Sequence, residues 1–314
     1  MPDKIRILIV FLLQAGLGRK YSHNYEEVRS RRAFYENVKV IENHNKLYKD
    51  GKVSYRLRTN VMADLKPKSY LEKYVRLVNS QRYKDSDPID NMVSSGLLNY
   101  ENLPNEIDWR DKGFLMTADN QGQCGSCYAF SIVRSMEGQV FKRTGKLFKL
   151  SVQQVVDCSI KTGNKGCTGG SLRNTLRYLE ETGGLMRHDD YTYQERQGKC
   201  QFIETLSIVN VTTWSILPPK DEEALKAAVA LIGPIAVSLN ASPNTFQLYG
   251  DGVYDDDNCN DLQVNHAMLV VGYTDDYWIL KNWWGPNWGE NGYMKLKRGK
   301  NLCGISNYAA YAVV

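Results

Sequence analysis

Seven cysteines in a chain of 314 residues constrain this fold more than any other feature, because an odd number leaves one thiol over when the rest pair. The candidate for that thiol is Cys127, in the run Asn120-Gln121-Gly122-Gln123-Cys124-Gly125-Ser126-Cys127-Tyr128-Ala129-Phe130-Ser131. It opens a segment in which Phe130, Val133, Met136 and Val140 recur at helical spacing. Such spacing puts the thiol at a helix N-terminus, where the macrodipole and unpaired backbone N–H groups favour a thiolate, the nucleophilic form of cysteine. Zinc is the competing use of clustered cysteines. Cys124 and Cys127 form the one Cys-x-x-Cys pair, with no second pair at finger spacing, so no metal site is expected.

A nucleophilic thiol needs a base. Of four histidines, His23 and His44 lie in an N-terminal segment read below as removed, and His188 sits in the polar run Arg187-His188-Asp189-Asp190, which reads as solvated surface. His266 differs, because it begins the apolar, strand-like run His266-Ala267-Met268-Leu269-Val270-Val271-Gly272-Tyr273 and so stands at a strand end. A second strand-like run, Tyr277 to Asn282, follows the Asp275-Asp276 turn and would return Asn282 to the imidazole as an antiparallel neighbour. An amide oxygen there would fix the ring tautomer.

With His266 139 residues after Cys127 and Asn282 155 after it, the chain resembles a papain-family cysteine peptidase of the cathepsin kind, whose local signature Cys-Gly-Ser-Cys-Tyr reproduces. The flanks agree: Asp108-Trp109-Arg110, Gly166-Cys167-Thr168-Gly169-Gly170, and Trp284-Gly285-Pro286-Asn287-Trp288-Gly289-Glu290-Asn291-Gly292-Tyr293. The resemblance implies that Gln121 lines the oxyanion hole, Cys127 is the nucleophile, His266 the base and Asn282 its orienting amide, with Trp284 shielding the His–Asn bond. It also implies a substrate cleft edged by Gly169 and Gly170, with a specificity pocket walled by Leu172, Ser238, Val264, Ala267 and Tyr308. Six cysteines allow 15 pairings. The family's pattern among them is Cys124 with Cys167, Cys158 with Cys200, and Cys259 with Cys303.

The implied fold is α+β and papain-like, with a helical subdomain and an antiparallel β-barrel subdomain on either side of a cleft, preceded by a helical inhibitory propeptide. Element order is consistent, since helical patterning prevails from Cys127 to about Thr182 and strand patterning from about Val209 onward. Two positions depart from the family. Tyr128 replaces the usual Trp and is expected to leave room or add a hydroxyl near the site; Trp283 replaces the usual Ser and is expected to add bulk at a cleft margin. Neither removes a catalytic group, which disfavours a catalytically dead binding or storage homologue. The cleft-blocking insertions of exopeptidases are missing between Gly170 and Tyr178 and near Asn210, so an endopeptidase needing no metal or organic cofactor is expected.

Charge divides the chain. Residues 1–102 hold 19 Lys and Arg against 12 Asp and Glu, net +7, while residues 103–314 hold 21 against 23, net −2. No nucleic-acid partner is expected for the acidic part. Residues 1–18 carry Lys4 and Arg6, then apolar Ile7 to Leu13, then Ala15, Gly16 and Gly18, and read as a secretory signal peptide too short to span a bilayer. No membrane span is expected later. Residues 19–102 read as the propeptide and 103–314 as the peptidase. Within the former, Tyr25 to Tyr48 is an amphipathic helix in which Glu26, Phe34, Asn37, Ile41 and Asn45 fall on the spacing of cathepsin L-like propeptides, with Ser30 at the expected Arg and Arg29 and Arg31 beside it. Asn60 and Asp64 keep a second motif in which Arg58 replaces Gly and Met62 replaces Phe. From about Val78 to Asn102, a Ser-, Asn- and Asp-rich segment is expected to cross the cleft and be cut. Expected partners are protein and peptide substrates, the chain's own propeptide and cystatin-like inhibitors, for a monomer that is lysosomal or extracellular. Asn210 is the favoured glycosylation site; the Asn240 sequon adjoins an apolar run.

Overall fold

The computed structural model describes residues 23–78, 102–114 and 117–314, so the expected signal peptide and nearly all of the expected connecting segment lie outside the described residues. Helix α1 (Asn24–Lys49) has Glu26 and Glu27 in its first turn and Lys46 and Lys49 in its last, which complements the helix dipole. It fully buries Ala33, Phe34 and Asn37. The Asn37 amide donates to the carbonyls of Ala63 and Leu65, and Asn45 both donates to and accepts from the backbone of Leu57, in strand β1 (Tyr55–Leu57). These bonds fold the chain back along α1. Beside Ser30, which stands at the expected arginine position, Arg29 donates to Ser69 at 2.7 Å, in the short helix α2 (Pro67–Tyr74).

After strand β2 (Ile107–Asp108) comes α3 (Cys127–Thr144), which ends at Gly145 with φ 69°. This helix is buried on nearly every side because it runs between the two halves, with α4 (Val152–Cys158) and α5 (Leu172–Thr182) on one flank and the main sheet on the other. Ser151 and Ser171 cap α4 and α5 through their hydroxyl oxygens. Strands β3 (Gly184–Met186) and β4 (Ser207–Asn210) form a small separate ribbon. Beyond them lie β5 (Thr213–Ile216), α6 (Glu222–Leu231), β6 (Ile235–Leu239), β7 (Tyr249–Tyr254), β8 (His266–Tyr273), β9 (Tyr277–Lys281), β10 (Tyr293–Lys297) and β11 (Ala309–Val313).

The main sheet runs β1-β7-β10-β9-β8-β6-β11-β5, with β2 added beside β8. One expectation is corrected here. The sheet is not wholly antiparallel, since β7 and β10 pair in parallel, and its outermost strand β1 comes from the N-terminal third. A long connection from Tyr254 through the β8–β9 hairpin makes that parallel pairing possible. The three disulfides join Cys124 to Cys167, Cys158 to Cys200 and Cys259 to Cys303, and Cys127 is a free thiol. Among the described residues no helix is long and apolar enough to cross a membrane.

Candidate active site

Cys127 is the first residue of α3 and His266 the first of β8, so two element ends from opposite halves meet at the site. The backbone N–H groups of Ala267, Tyr128, Arg76 and Cys127 itself favour the thiolate, and since Ala267 follows His266 directly, they tie the start of β8 to the start of α3. Antiparallel pairing of β8 with β9, Leu269 opposite Lys281, returns the chain so that Asn282 reaches the imidazole. His266 Nε2 lies 2.8 Å from Asn282 Oδ1. That oxygen also accepts the Trp283 N–H at 2.8 Å, which fixes the amide's orientation and makes Nε2 the donor. Nδ1 then holds the lone pair. It has no hydrogen-bond partner and is the ring nitrogen left for the thiol.

Trp284 stacks on His266, with centroids 4.7 Å apart and planes 29° from parallel. Phe246, Trp288, Tyr70 and Tyr74 enclose the indole edge-on, so the His–Asn bond is shut off from water. His266→Ala should therefore cost far more activity than Asn282→Ala, since a missing base has no substitute while the Trp284 stack still holds the ring. Steady-state kinetics on both variants checks this, about 10⁴-fold against 10² to 10³-fold in kcat; equal losses would contradict these roles.

Gln121 is held from two directions. Its main-chain N–H donates to Trp283 O at 2.8 Å, and its carbonyl accepts from the Tyr193 hydroxyl at 2.8 Å. The same hydroxyl lies 2.6 Å from Ser126 Oγ, so Tyr193 ties together the two ends of the loop that carries Gln121 to Cys127. Tyr193 packs edge-on against Phe130, which stacks on Trp283. Sequence reading missed Tyr193; only its place in Tyr191-Thr192-Tyr193, far along the chain, marks it. The Gln121 side-chain amide donates to Cys124 O at 3.0 Å and to Tyr74 O at 3.3 Å.

That last contact shows what fills the cleft. Residues Tyr74 to Val78 pass between the halves: Leu77 N–H donates to Asn265 O on one side and Val78 N–H to Gly170 O on the other, both at 2.9 Å. Leu77 pairs in parallel with Gly170, and a Cβ on Gly169 would fall 2.2 Å from Arg76 O, so this edge of the cleft admits a second backbone only because it carries glycine. The crossing thus starts at Tyr74, ahead of the expected Val78, because α2 stops there and the chain leaves it extended. Gln121, Cys127, His266 and Asn282 are all fully buried beneath it. Burial pushes the Cys127 thiol up to about 12, despite the backbone N–H groups around it, and pulls the His266 imidazole down to about 4 against the bond to Asn282. Covered, the pair is neutral thiol and neutral imidazole.

Two other expectations are corrected, those for Trp283 and His188. Trp283 is not at a cleft margin: it is wholly buried, donates its indole N–H to Ala267 O at 2.9 Å and packs on Phe130. The Tyr128 hydroxyl donates to Gly166 O at 3.0 Å, and its ring lies beneath Gly170. His188 is half-buried, and burial lowers its pKa. Of the pocket residues, Ser238 and Ala267 are cross-strand partners on β6 and β8, and Ser238 N–H and Oγ both point to Tyr308 O, at 3.0 and 3.3 Å. Val264 lies half-buried just before β8, and Leu172 is buried at the start of α5 in the other half. Asn210 is exposed at the end of β4, whereas Asn240 is buried with its amide donating to Asn260 O.

Residues 103–313 match the family model of papain family cysteine proteases, and residues 14–70 match that of the cathepsin propeptide inhibitor domain. Among curated relatives, a cathepsin L of Sarcophaga peregrina is 38% identical over 304 residues, covering 94% of this chain and 89% of the relative. A cathepsin L-like protein of Caenorhabditis elegans is 40% identical over 298 residues, 92% and 86% of the two chains. Among solved structures, digestive procathepsin L 3 of Tenebrio molitor larval midgut superposes with TM-score 0.87 at 32% identity, covering all of both chains.

Proposed function

The chain belongs to the papain family of cysteine proteases, with a cathepsin propeptide inhibitor domain ahead of the peptidase, and from that premise we propose a peptidase of 103–314 that works by a Cys-His-Asn mechanism and is held latent by 19–102. The observation that carries this reading is the hydrogen-bonded His266–Asn282 pair, with Cys127 a free, buried thiol at the start of α3 and a segment of the same chain bonded to Gln121 and to Gly170.

When the cleft is open, the Cys127 thiol passes its proton to His266 Nδ1 and the thiolate attacks the peptide carbonyl carbon. The tetrahedral oxyanion takes the place now held by Tyr74 O, receiving the Gln121 amide N–H and the Cys127 backbone N–H, donors of a kind worth about 2.7 to 4 kcal/mol each when aligned. Imidazolium protonates the leaving amine, the C–N bond breaks and a thioester remains. Neutral His266 then takes a proton from water, which attacks the thioester and frees the acid and the thiol. Asn282 and Trp284 hold the ring through both steps.

Specificity is assigned to the pocket of Leu172, Ser238, Val264, Ala267 and Tyr308, beside Gly169 and Gly170. These walls are small or apolar, so aliphatic side chains fit the second residue before the cut and charged ones do not. The Tyr308 ring, wholly buried, takes up floor volume. Leu or Val is expected to exceed Phe there, and Tyr308→Ala to raise relative Phe acceptance by about 10-fold, a misfit of 1 to 3 kcal/mol relieved. A substrate library in which Phe already outranks Leu for the unaltered enzyme would contradict the assignment.

Three disulfides and the exposure of Asn210, against the burial of Asn240, support a secretory protein with a leader of 1–18 and a glycan on Asn210. We assign it to lysosomes or the extracellular space, as a monomer open to cystatin-like inhibitors.

A further inference from the structure

The propeptide strand β1 occupies the edge of β7, and β7 is held on its other side by β10 of the peptidase, so this edge stays in place when the propeptide leaves. We propose that in the matured enzyme the edge of β7 is an exosite for protein substrates, taking an extended segment with an aromatic–basic–aliphatic–basic order of side chains. This rests on the endopeptidase reading above.

The occupant's chemistry is read from Tyr55-Arg56-Leu57-Arg58. Much of the recognition is by backbone: Val253 N–H donates to Ser54 O at 3.0 Å and Arg58 N–H to Leu248 O at 2.8 Å. Tyr249-Gly250-Asp251-Gly252 is built for such an approach, since a Cβ on Gly252 would fall 2.5 Å from Ser54 O and one on Gly250 2.9 Å from Arg58 Cβ. Side chains add order. Tyr55 packs 4.8 Å from the Tyr254 ring, with the propeptide's His44 on it at 4.4 Å, and Leu57 is buried. Arg56 pairs with Asp251 at 2.8 Å, and Arg58 donates to Gly250 O and Gly289 O.

Loss of β1, only three residues long, strips the edge of its ladder partner, bares the Tyr254 wall and takes both arginine partners from Asp251. Glu290 does not share this fate, being held by Lys295 and the Gly252 N–H. An unpaired strand edge with an aromatic slot and one uncompensated carboxylate is a site for strand addition by a basic, aromatic peptide. It also lies within reach of the chemistry. Ring contacts run from Tyr254 to Phe246 at 5.6 Å, Phe246 to Trp284 at 6.0 Å and Trp284 to His266 at 4.7 Å, so one unfolded substrate chain can engage the edge and the cleft together.

The test compares a short fluorogenic peptide with the same cleavage sequence joined by a flexible Gly/Ser linker of about 15 residues to a segment of sequence Ser-Tyr-Arg-Leu-Arg, using enzyme matured from the full chain. Tethering is expected to lower KM on the order of tenfold with kcat unchanged, through effective concentration. Asp251→Lys, or millimolar free peptide of residues 53–59, is expected to abolish that gain and leave the short peptide's kinetics as they were. Should the Asp251→Lys chain fail to fold, the competition arm decides alone. Equal KM for the two substrates, or a free peptide that inhibits both alike, would overturn the exosite; an enzyme that cuts neither would instead overturn the endopeptidase reading.

Discussion

Cys127→Ala is expected to reduce turnover by about 10⁴-fold or more, the scale on which a nucleophile's loss leaves only binding and oxyanion stabilisation. The protein should still fold, because the six other cysteines account for all three bridges and Cys127 is a free thiol. Removing one buried sulfur atom costs about 1 kcal/mol. Activity on a short peptide and the thermal midpoint, measured on the same sample, check both halves. A variant that loses secretion or solubility would mark Cys127 as structural, and one that keeps activity would remove it from the mechanism.

Latency should fail between about pH 6.5 and pH 4. The covered His266 imidazole is held down to about 4 by burial, while an exposed imidazole titrates near its ordinary 6.5. Above pH 6.5 the ring is neutral whether covered or open, so pH does not bias the two states. Between 6.5 and 4 the open form takes up a proton more readily than the covered form, so closure weakens as the pH falls, by less than the full shift because Trp284 stays stacked on the ring. Below 4 both forms are protonated and the effect is spent. The raised Cys127 pKa does not oppose this, as the thiol stays protonated across that range. Attraction between the basic propeptide and the acidic peptidase weakens in the same direction as carboxylates protonate. Full-length protein should thus be inactive near neutral pH and, on acidification, yield an active form with a new N-terminus near Leu103. Equal activity of intact and cut forms at neutral pH would refute the inhibitory role of Tyr74 to Val78.

Of the four residues proposed as catalytic, three were legible in local runs, a helix start at Cys127, a strand start at His266 and a hairpin that returns Asn282, whereas Gln121 came only from the family resemblance. What the local runs did not carry was side-chain direction. Trp283 sits between Asn282 and Trp284 and was expected beside the cleft, yet alternation along the chain turns its ring inward onto Phe130. Tyr193 was invisible for another reason, since its bonds to Ser126 and Gln121 join residues 67 and 72 positions away. Arg134 and Glu137 stand three residues apart on α3 and pair with each other. In the fold both are buried, and Arg134 also meets Asp119, which stands 3.9 Å from buried Lys281, the residue before Asn282. Nothing in spacing reveals a charge network assembled from three distant segments. The cleft crossing was placed late because the turn-rich composition after Val78 was a stronger signal than the end of α2 at Tyr74.

Labelling with an epoxysuccinyl thiol trap, with the adduct mapped by mass spectrometry before and after acid treatment, tests nucleophile and cover together. The expected result is no adduct on the full-length chain at neutral pH and, after acidification, one adduct per molecule on Cys127, formed in step with loss of activity. An adduct on another cysteine, activity that survives full labelling of Cys127, or equal labelling of the untreated chain would contradict it.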